Sequence, residues 1–328
     1  VLKKLKLSQG FILGIIMVAV FLLMWLLNPR QFLTFGNFQS MAFQLPELGL
    51  LSMAMMVTML TGGINLSIIA TANMTGIVTA MILTRTIDPA APPPGAFGLV
   101  ILAIAAGLAT ALVIGLINGV LIAGLNVSPI LATLGMMTLV NGLTIVITKG
   151  YVISGLPNAV RFIGNGTIAG IPFCTIIFAL CALALAAVLN RTPLGFNIYM
   201  LGSNPTASYF SGVNNRAVLY KTYLLSSLYA GFAALIMISR FNSAKAGYGE
   251  SYLLVTVLAS VLGGTSASGG FGRVAGIVMA LVILQIVSSG FNLLRISSFM
   301  TIAIWGMIII VVMVVNFIST TMQERRTA

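Results

Sequence analysis

Apolar runs, broken at short intervals by Gly, Pro, Asn and charged residues, follow one another along the whole chain. Crossing a bilayer takes about 20 apolar residues as a helix, and the runs and their breakers mark about ten spans. They fall at 10–27, 46–61, 65–84, 96–125, 129–148, 171–189, 218–239, 252–263, 274–294 and 298–318. The fold class expected is an all-α integral membrane protein of about ten transmembrane helices, some short or broken, forming a single domain over residues 1–328. Segment 31–45 mixes Phe with Gln and Asn, so it is expected to lie at the interface and not to cross. Arg85 to Gly95, with Asp88 and Pro92-Pro93-Pro94, reads as a rigid external loop, and Lys149 to Gly170 as a longer one.

Composition agrees with the pattern: 59% of residues are apolar and 6% charged, with mean hydropathy +1.12. Net charge is +12, yet the basic residues sit mostly between apolar runs. That placement suits membrane lipid headgroups and argues against nucleic acid. Lys3, Lys4 and Lys6 precede a run from Phe11 to Leu27 that resembles a signal peptide. Asn28-Pro29-Arg30 is no small-residue cleavage site, so the run is expected to stay as a first helix with a cytoplasmic N-terminus. An even number of spans then returns the C-terminus, with Arg325 and Arg326, to the cytoplasm. Arg191, Arg216 and Arg273 fall on the same side, while Arg30, Arg85, Lys149, Arg161, Arg240, Lys245 and Arg295 fall outside. The positive-inside bias is therefore weak.

The loop at 190–217 faces the cytoplasm in this topology and holds a polar interruption, Gly202 to Asn214. Asn204 suits an N-cap, Pro205 the first helical position, and Gly212 a left-handed end. A helix of about two turns, presenting Tyr209 and Phe210, is expected there, shaped to receive a push from a partner. Elsewhere Thr61-Gly62-Gly63 and the glycine-rich stretch from Leu262 to Arg273 break their spans. Backbone unwound at membrane depth persists only inside protein or beside a wet cavity, which makes both stretches candidates for the translocation path or its inner gate, or else plain inner loops.

Chemistry is conspicuous by what is missing. The chain has no His and four acidic residues, Glu47, Asp88, Glu250 and Glu324, none in the middle of a predicted span. Proton-driven carriers need intramembrane ionisable groups, so proton coupling is disfavoured; Glu47, after Pro46, reads as a residue at a helix start. No phosphate-binding Gly-x-x-x-x-Gly-Lys-Ser/Thr occurs, and neither a metal cluster nor a nucleophilic triad can be built. The chain is expected to be no enzyme and to hold no cofactor of its own. Cys174 and Cys181 lie about 10 Å apart along one helix, too far to bridge.

Several separated motifs resemble the ribose-type membrane permeases of bacterial ATP-binding-cassette sugar importers. They are Thr61-Gly62-Gly63-Ile64-Asn65-Leu66-Ser67; Pro129 with Ala132-Thr133-Leu134-Gly135 and Gly142; Thr192 with Gly195; Gly202-Ser203-Asn204 with Ala207, Ser211 and Gly212; Leu262-Gly263-Gly264-Thr265-Ser266; Gly272-Arg273; and Gly290-Phe291-Asn292-Leu293-Leu294. Asn65 departs from the family's usual Asp, Asn141 from a common Arg, and Leu253 and Val255 from Glu and Asp, all of which remove charge from the core. The resemblance implies a bacterial inner-membrane importer for a monosaccharide or a similar small polyhydroxylated solute, including a sugar-like signalling molecule. It also implies a second permease subunit, identical or homologous, a cytoplasmic ATPase that uses ATP and Mg, and a periplasmic solute-binding protein. Gly202, Asn204, Pro205, Ala207, Tyr209, Phe210, Ser211 and Gly212 then become the ATPase-coupling element. Asn65, Ser67, Asn73, Asn118, Thr133, Asn141, Ser226, Gln285, Ser288 and Asn292 are the candidate path residues, because amides and hydroxyls bond sugar hydroxyls transiently. The rival readings are an ion-coupled or facilitative transporter and a non-transporting scaffold.

Overall fold

A computed structural model describes residues 9–87, 93, 95–297, 300–308 and 310. The leading lysines, Asp88, Pro92, Pro94, most of the predicted last span and the basic tail lie outside them. Among the described residues twelve α-helices are defined in chain order: α1 Gln9–Leu27, α2 Phe35–Met59, α3 Ile68–Thr86, α4 Ala96–Gly119, continued by a π-helical turn Val120–Gly124, α5 Pro129–Thr148, α6 Asn158–Asn165, α7 Phe173–Arg191, α8 Pro193–Ser203, α9 Pro205–Phe210, α10 Asn215–Phe241, α11 Tyr252–Leu262 and α12 Val274–Leu293. Residues 300–308 are also helical. Among the described residues seven helices are long and apolar enough to cross a membrane, α1 and α11 being shorter apolar helices by the same measure. The protein is an all-α integral membrane protein; its strands, β1 Ile153–Ser154, β2 Thr167–Ile168, β3 Ile171–Pro172 and β4 Ser243–Ala244, form only two-residue ladders.

The second span differs from expectation. It starts at Phe35, where the Thr34 side chain caps it by accepting from the Asn37 amide, and runs straight through Pro46. Proline has no amide to give the carbonyl four residues back, and Thr175 of α7 fills that place, its hydroxyl donating to the Ala42 carbonyl at 2.6 Å. The 31–45 segment is therefore mostly the first half of a spanning helix. From Gly49 to Met59 every residue of α2 is buried, the mark of a helix apolar all round at the centre of a bundle. It packs against α7, α10, α11 and α12.

Outer helices show the reverse. Ile101 and Leu102 of α4, Leu131, Leu139 and Val146 of α5, and Leu180 and Leu183 of α7 are exposed, giving the bundle the apolar surface that lipid requires. Two faces close it. On one, β1 pairs with β4, and Asn165 at the end of α6 donates to the Ser239 carbonyl near the end of α10 at 2.9 Å. On the other, the turn after α2 meets the turn between α11 and α12, the Gly270 amide donating to the Leu60 carbonyl at 2.9 Å. The 190–217 connection belongs to this second face. It holds two helices where one was expected, because Thr192 caps α8 by accepting from the Gly195 amide with Pro193 at its start.

Candidate functional site

The predicted short helix is present as α9. Asn204 Oδ1 accepts from the Ala207 amide at 3.0 Å, Pro205 opens the helix, and Gly212 stands at φ +81°, its amide donating to the Tyr209 carbonyl. Tyr209 and Phe210 are 69% and 82% exposed, so both rings project from the protein. Sequence reasoning missed the strap beneath them: buried Ser208 donates to Asn215 Oδ1 at 2.8 Å, and Asn215 Nδ2 donates to the Pro205 carbonyl at 2.9 Å. These bonds fix α9 to the first turn of α10.

Behind α9, three backbone segments meet without intervening side chains. A Cβ added at Gly202 would lie 1.9 Å from the Leu60 carbonyl oxygen and 2.5 Å from the Gly270 amide nitrogen. Gly62, Gly269 and Gly270 all have positive φ here, a conformation that glycine adopts freely. Tyr199 of α8 adds a bond to the Gly272 carbonyl at 2.8 Å. The helix that carries α9 therefore touches the end of α2 and the α11–α12 turn directly.

The ten polar candidates separate into groups. Asn65, Ser67, Asn118 and Ser226 form one fully buried network. Asn65 Nδ2 donates to Ser226 Oγ at 3.0 Å, Ser67 Oγ to Asn65 Oδ1 at 2.7 Å, Asn118 Nδ2 to Ser67 Oγ at 2.8 Å, and Ser226 Oγ to the Ala54 carbonyl at 2.8 Å. Thr133 accepts from the Leu66 amide at 3.1 Å. These bonds lash the unwound 60–67 segment to α2, α4, α5 and α10. Asn73 and Asn141 join neither this network nor one another.

Gln285, Ser288 and Asn292 recur at helical spacing along α12, on one face. Gln285 Nε2 donates to Gln44 Oε1 at 3.3 Å, and the neighbouring Ser289 donates to Asn37 Oδ1 at 2.7 Å. Asn292 lines two cavities. One, of about 400 Å³, includes Asn37, Ser40, Gln44 and Ser289. The other, of about 280 Å³, includes Ser251, Tyr252, Ser288, Thr301 and Trp305. Asn37 and Gln44 escaped prediction because their segment was assigned to the interface.

Glu47 also corrects an expectation. It lies in the middle of α2, 1% exposed, and its Oε1 is 2.8 Å from Arg240 Nη1; Tyr252 donates to the same oxygen at 2.8 Å. Misplacing the start of α2 hid this intramembrane carboxylate. Arg240, expected among the external basic residues, is the partner of Glu47, with its guanidinium carbon 5.5 Å from the centre of the Phe241 ring. Pairing is what allows the carboxylate to remain in the bundle.

A helical bundle with an apolar outer surface, buried polar ties and an exposed aromatic helix at one face is the architecture of a multi-pass membrane protein. The family model described as branched-chain amino acid transport system, permease component, matches residues 37–316, and the chain belongs to this family. It is 35% identical to the ribose import permease protein RbsC of Bacillus subtilis over 96% of this chain and 93% of the relative. Identity is 29% to the D-allose transport system permease protein AlsC of Escherichia coli, over 93% and 89%. It is 28% to the autoinducer 2 import system permease protein LsrD of Photorhabdus temperata, over 94% and 91%. No solved structure matches the chain. The protein is a multi-pass permease of the bacterial inner membrane and the membrane component of an ATP-binding-cassette importer.

Proposed function

We propose that this permease imports a monosaccharide or a similar small polyhydroxylated solute, driven by a cytoplasmic ATPase that acts on α9. The observation that carries the reading is the continuity from α9 through α8 to the glycine junction. A push on Tyr209 and Phe210 moves Gly202 against the ends of α2, α11 and α12, the helices whose far ends hold the polar cavities. The solute class is supported by relatives named for ribose, D-allose and autoinducer 2 import and by path candidates that are amides and hydroxyls. Chemically, the permease contributes alternating access: each nucleotide state of the ATPase favours one arrangement of the helices, and that differential preference does the work.

In this reading residues 1–328 form one permease domain of about ten spans with both termini cytoplasmic, and 190–217 is the coupling loop. A second permease subunit completes the path, a periplasmic binding protein delivers the solute, and ATP and Mg act in the ATPase. Ion coupling is the rival, and Glu47 is the residue on which it would depend; the Arg240 ion pair makes that carboxylate a structural group. The test is uptake of labelled D-ribose by proteoliposomes holding the permease, its ATPase and its binding protein. Uptake is expected to require ATP and to survive ionophores that collapse proton and sodium gradients. Its loss under ionophores, with ATP hydrolysis intact, overturns the reading.

A further inference from the structure

The 280 Å³ cavity combines three features that nothing in the family match assigns. Its size sits near the lower end of small-molecule sites, which span roughly 300–1,000 Å³. Among the described residues its lining carries no charged side chain, while Ser251, Tyr252, Ser288, Asn292 and Thr301 offer hydroxyls and an amide around buried Trp305. An aromatic ring among hydrogen-bonding groups complements a sugar ring, which presents C–H faces and O–H edges. Ammonium or carboxylate groups, by contrast, would be desolvated there with no counter-charge.

Ser251 and Tyr252 line a second cavity as well, one of about 360 Å³ with Phe241, Ser243 and Tyr248, beside the β1–β4 ladder. Tyr252 is thus a wall common to both spaces. Its hydroxyl is held on Glu47, which Arg240 holds in turn, so one wall residue is tied to α2 and α10 together.

Resting on the importer reading, we propose that the Ser288–Asn292–Trp305 cavity is a transit site for a neutral polyhydroxylated solute. Tyr252 is its latched wall toward the 241–252 face, and Glu47 and Arg240 position that wall. Opening the wall means breaking the Tyr252–Glu47 bond and swinging the ring aside, which joins the two cavities into one passage.

Thiol labelling in membrane vesicles tests this without ATP, partners or uptake, so its outcome is separate from that of the importer reading. The full chain carrying Cys174→Ala and Cys181→Ala receives single cysteines at Ser288→Cys or Asn292→Cys. Lys245→Cys marks reagent access from the exposed 241–252 face, and buried Leu281→Cys serves as the unreactive reference. A membrane-impermeant methanethiosulfonate is expected to label both cavity positions from the face that labels Lys245→Cys. Adding Tyr252→Phe should speed labelling of the half-buried Ser288→Cys at least about tenfold, as expected when the closed state loses one charge-assisted hydrogen bond, while the exposed Asn292→Cys should label at an unchanged rate. Millimolar D-ribose should slow labelling and L-leucine should not. Inert cavity cysteines overturn the site, and a Ser288→Cys rate indifferent to Tyr252→Phe overturns the latch. Protection by L-leucine alone, or by neither solute, overturns the solute class.

Discussion

Glu47 and Arg240 show how sharply one residue's environment can depend on another's presence. Each is tolerated because of the other: removing one partner of a buried pair leaves a lone charge and costs about 3–5 kcal/mol, whereas replacing both with apolar residues of similar volume is often close to neutral. Glu47→Leu and Arg240→Met are therefore each expected to lower the thermal unfolding midpoint of the detergent-solubilised chain clearly. The double variant should recover most of the loss. Additive losses would show that the pair is not coupled. Tyr252→Phe removes a single donor and should cost less than either charge deletion.

At the scale of elements, the glycine junction and α9 make separable predictions. Gly202→Ala pushes a methyl into the Leu60 carbonyl, and relieving such overpacking by backbone shift costs about 1–3 kcal/mol. In the reconstituted importer this should cut uptake about tenfold while ATP hydrolysis continues, because the push still arrives and is no longer passed on. Gly212→Val meets open space but forces a branched residue into the left-handed region at about 1–2 kcal/mol, and should uncouple by loosening the end of α9. Gly142→Ala, with nothing within 4 Å of the added methyl, should behave as the unchanged chain, and normal uptake by Gly202→Ala would remove the junction from the coupling route. Elements flanked by strong breakers were legible from sequence: α5 after Pro129, α11 before Gly263 and α9 between Asn204 and Gly212 appear nearly where expected. The first half of α2 was not, because Pro46 reads as a start until Thr175, far along the chain, is seen to occupy the carbonyl it frees. Motif glycines were visible as breaks, but their meeting at Leu60, Gly202 and Gly270 is a long-range event that no local pattern encodes. The same holds for the 280 Å³ cavity, whose walls come mostly from α11, α12 and residues 301–306.

For the molecule as a whole, the importer reading assigns the charge on the face of β1 and β4 to encounter with a delivery partner. Lys149, Arg161 and Lys245 are exposed, while Arg240 is withdrawn into its ion pair and no longer belongs to that set. Complementary charge mainly speeds association and is screened beyond about 8 Å at physiological salt. Binding-protein association should slow as salt rises, and Lys149→Glu with Arg161→Glu should produce the same slowing at low salt with basal ATP hydrolysis unchanged. A rate indifferent to both assigns these residues to the lipid surface. The ion pair has a further consequence, in time and not in space. Synthesis delivers α2 to the bilayer well before Arg240 exists, and Tyr252 lies 205 residues beyond Glu47. At about 5–20 residues per second that interval is about 10–40 s, during which a lone carboxylate at mid-helix disfavours insertion by about 2.5–3.5 kcal/mol. Nascent chains ending before α10 should therefore hold α2 loosely, extractable by alkali, and Glu47→Leu should anchor it early. The helix at the centre of the finished bundle is then among the last to be locked in place.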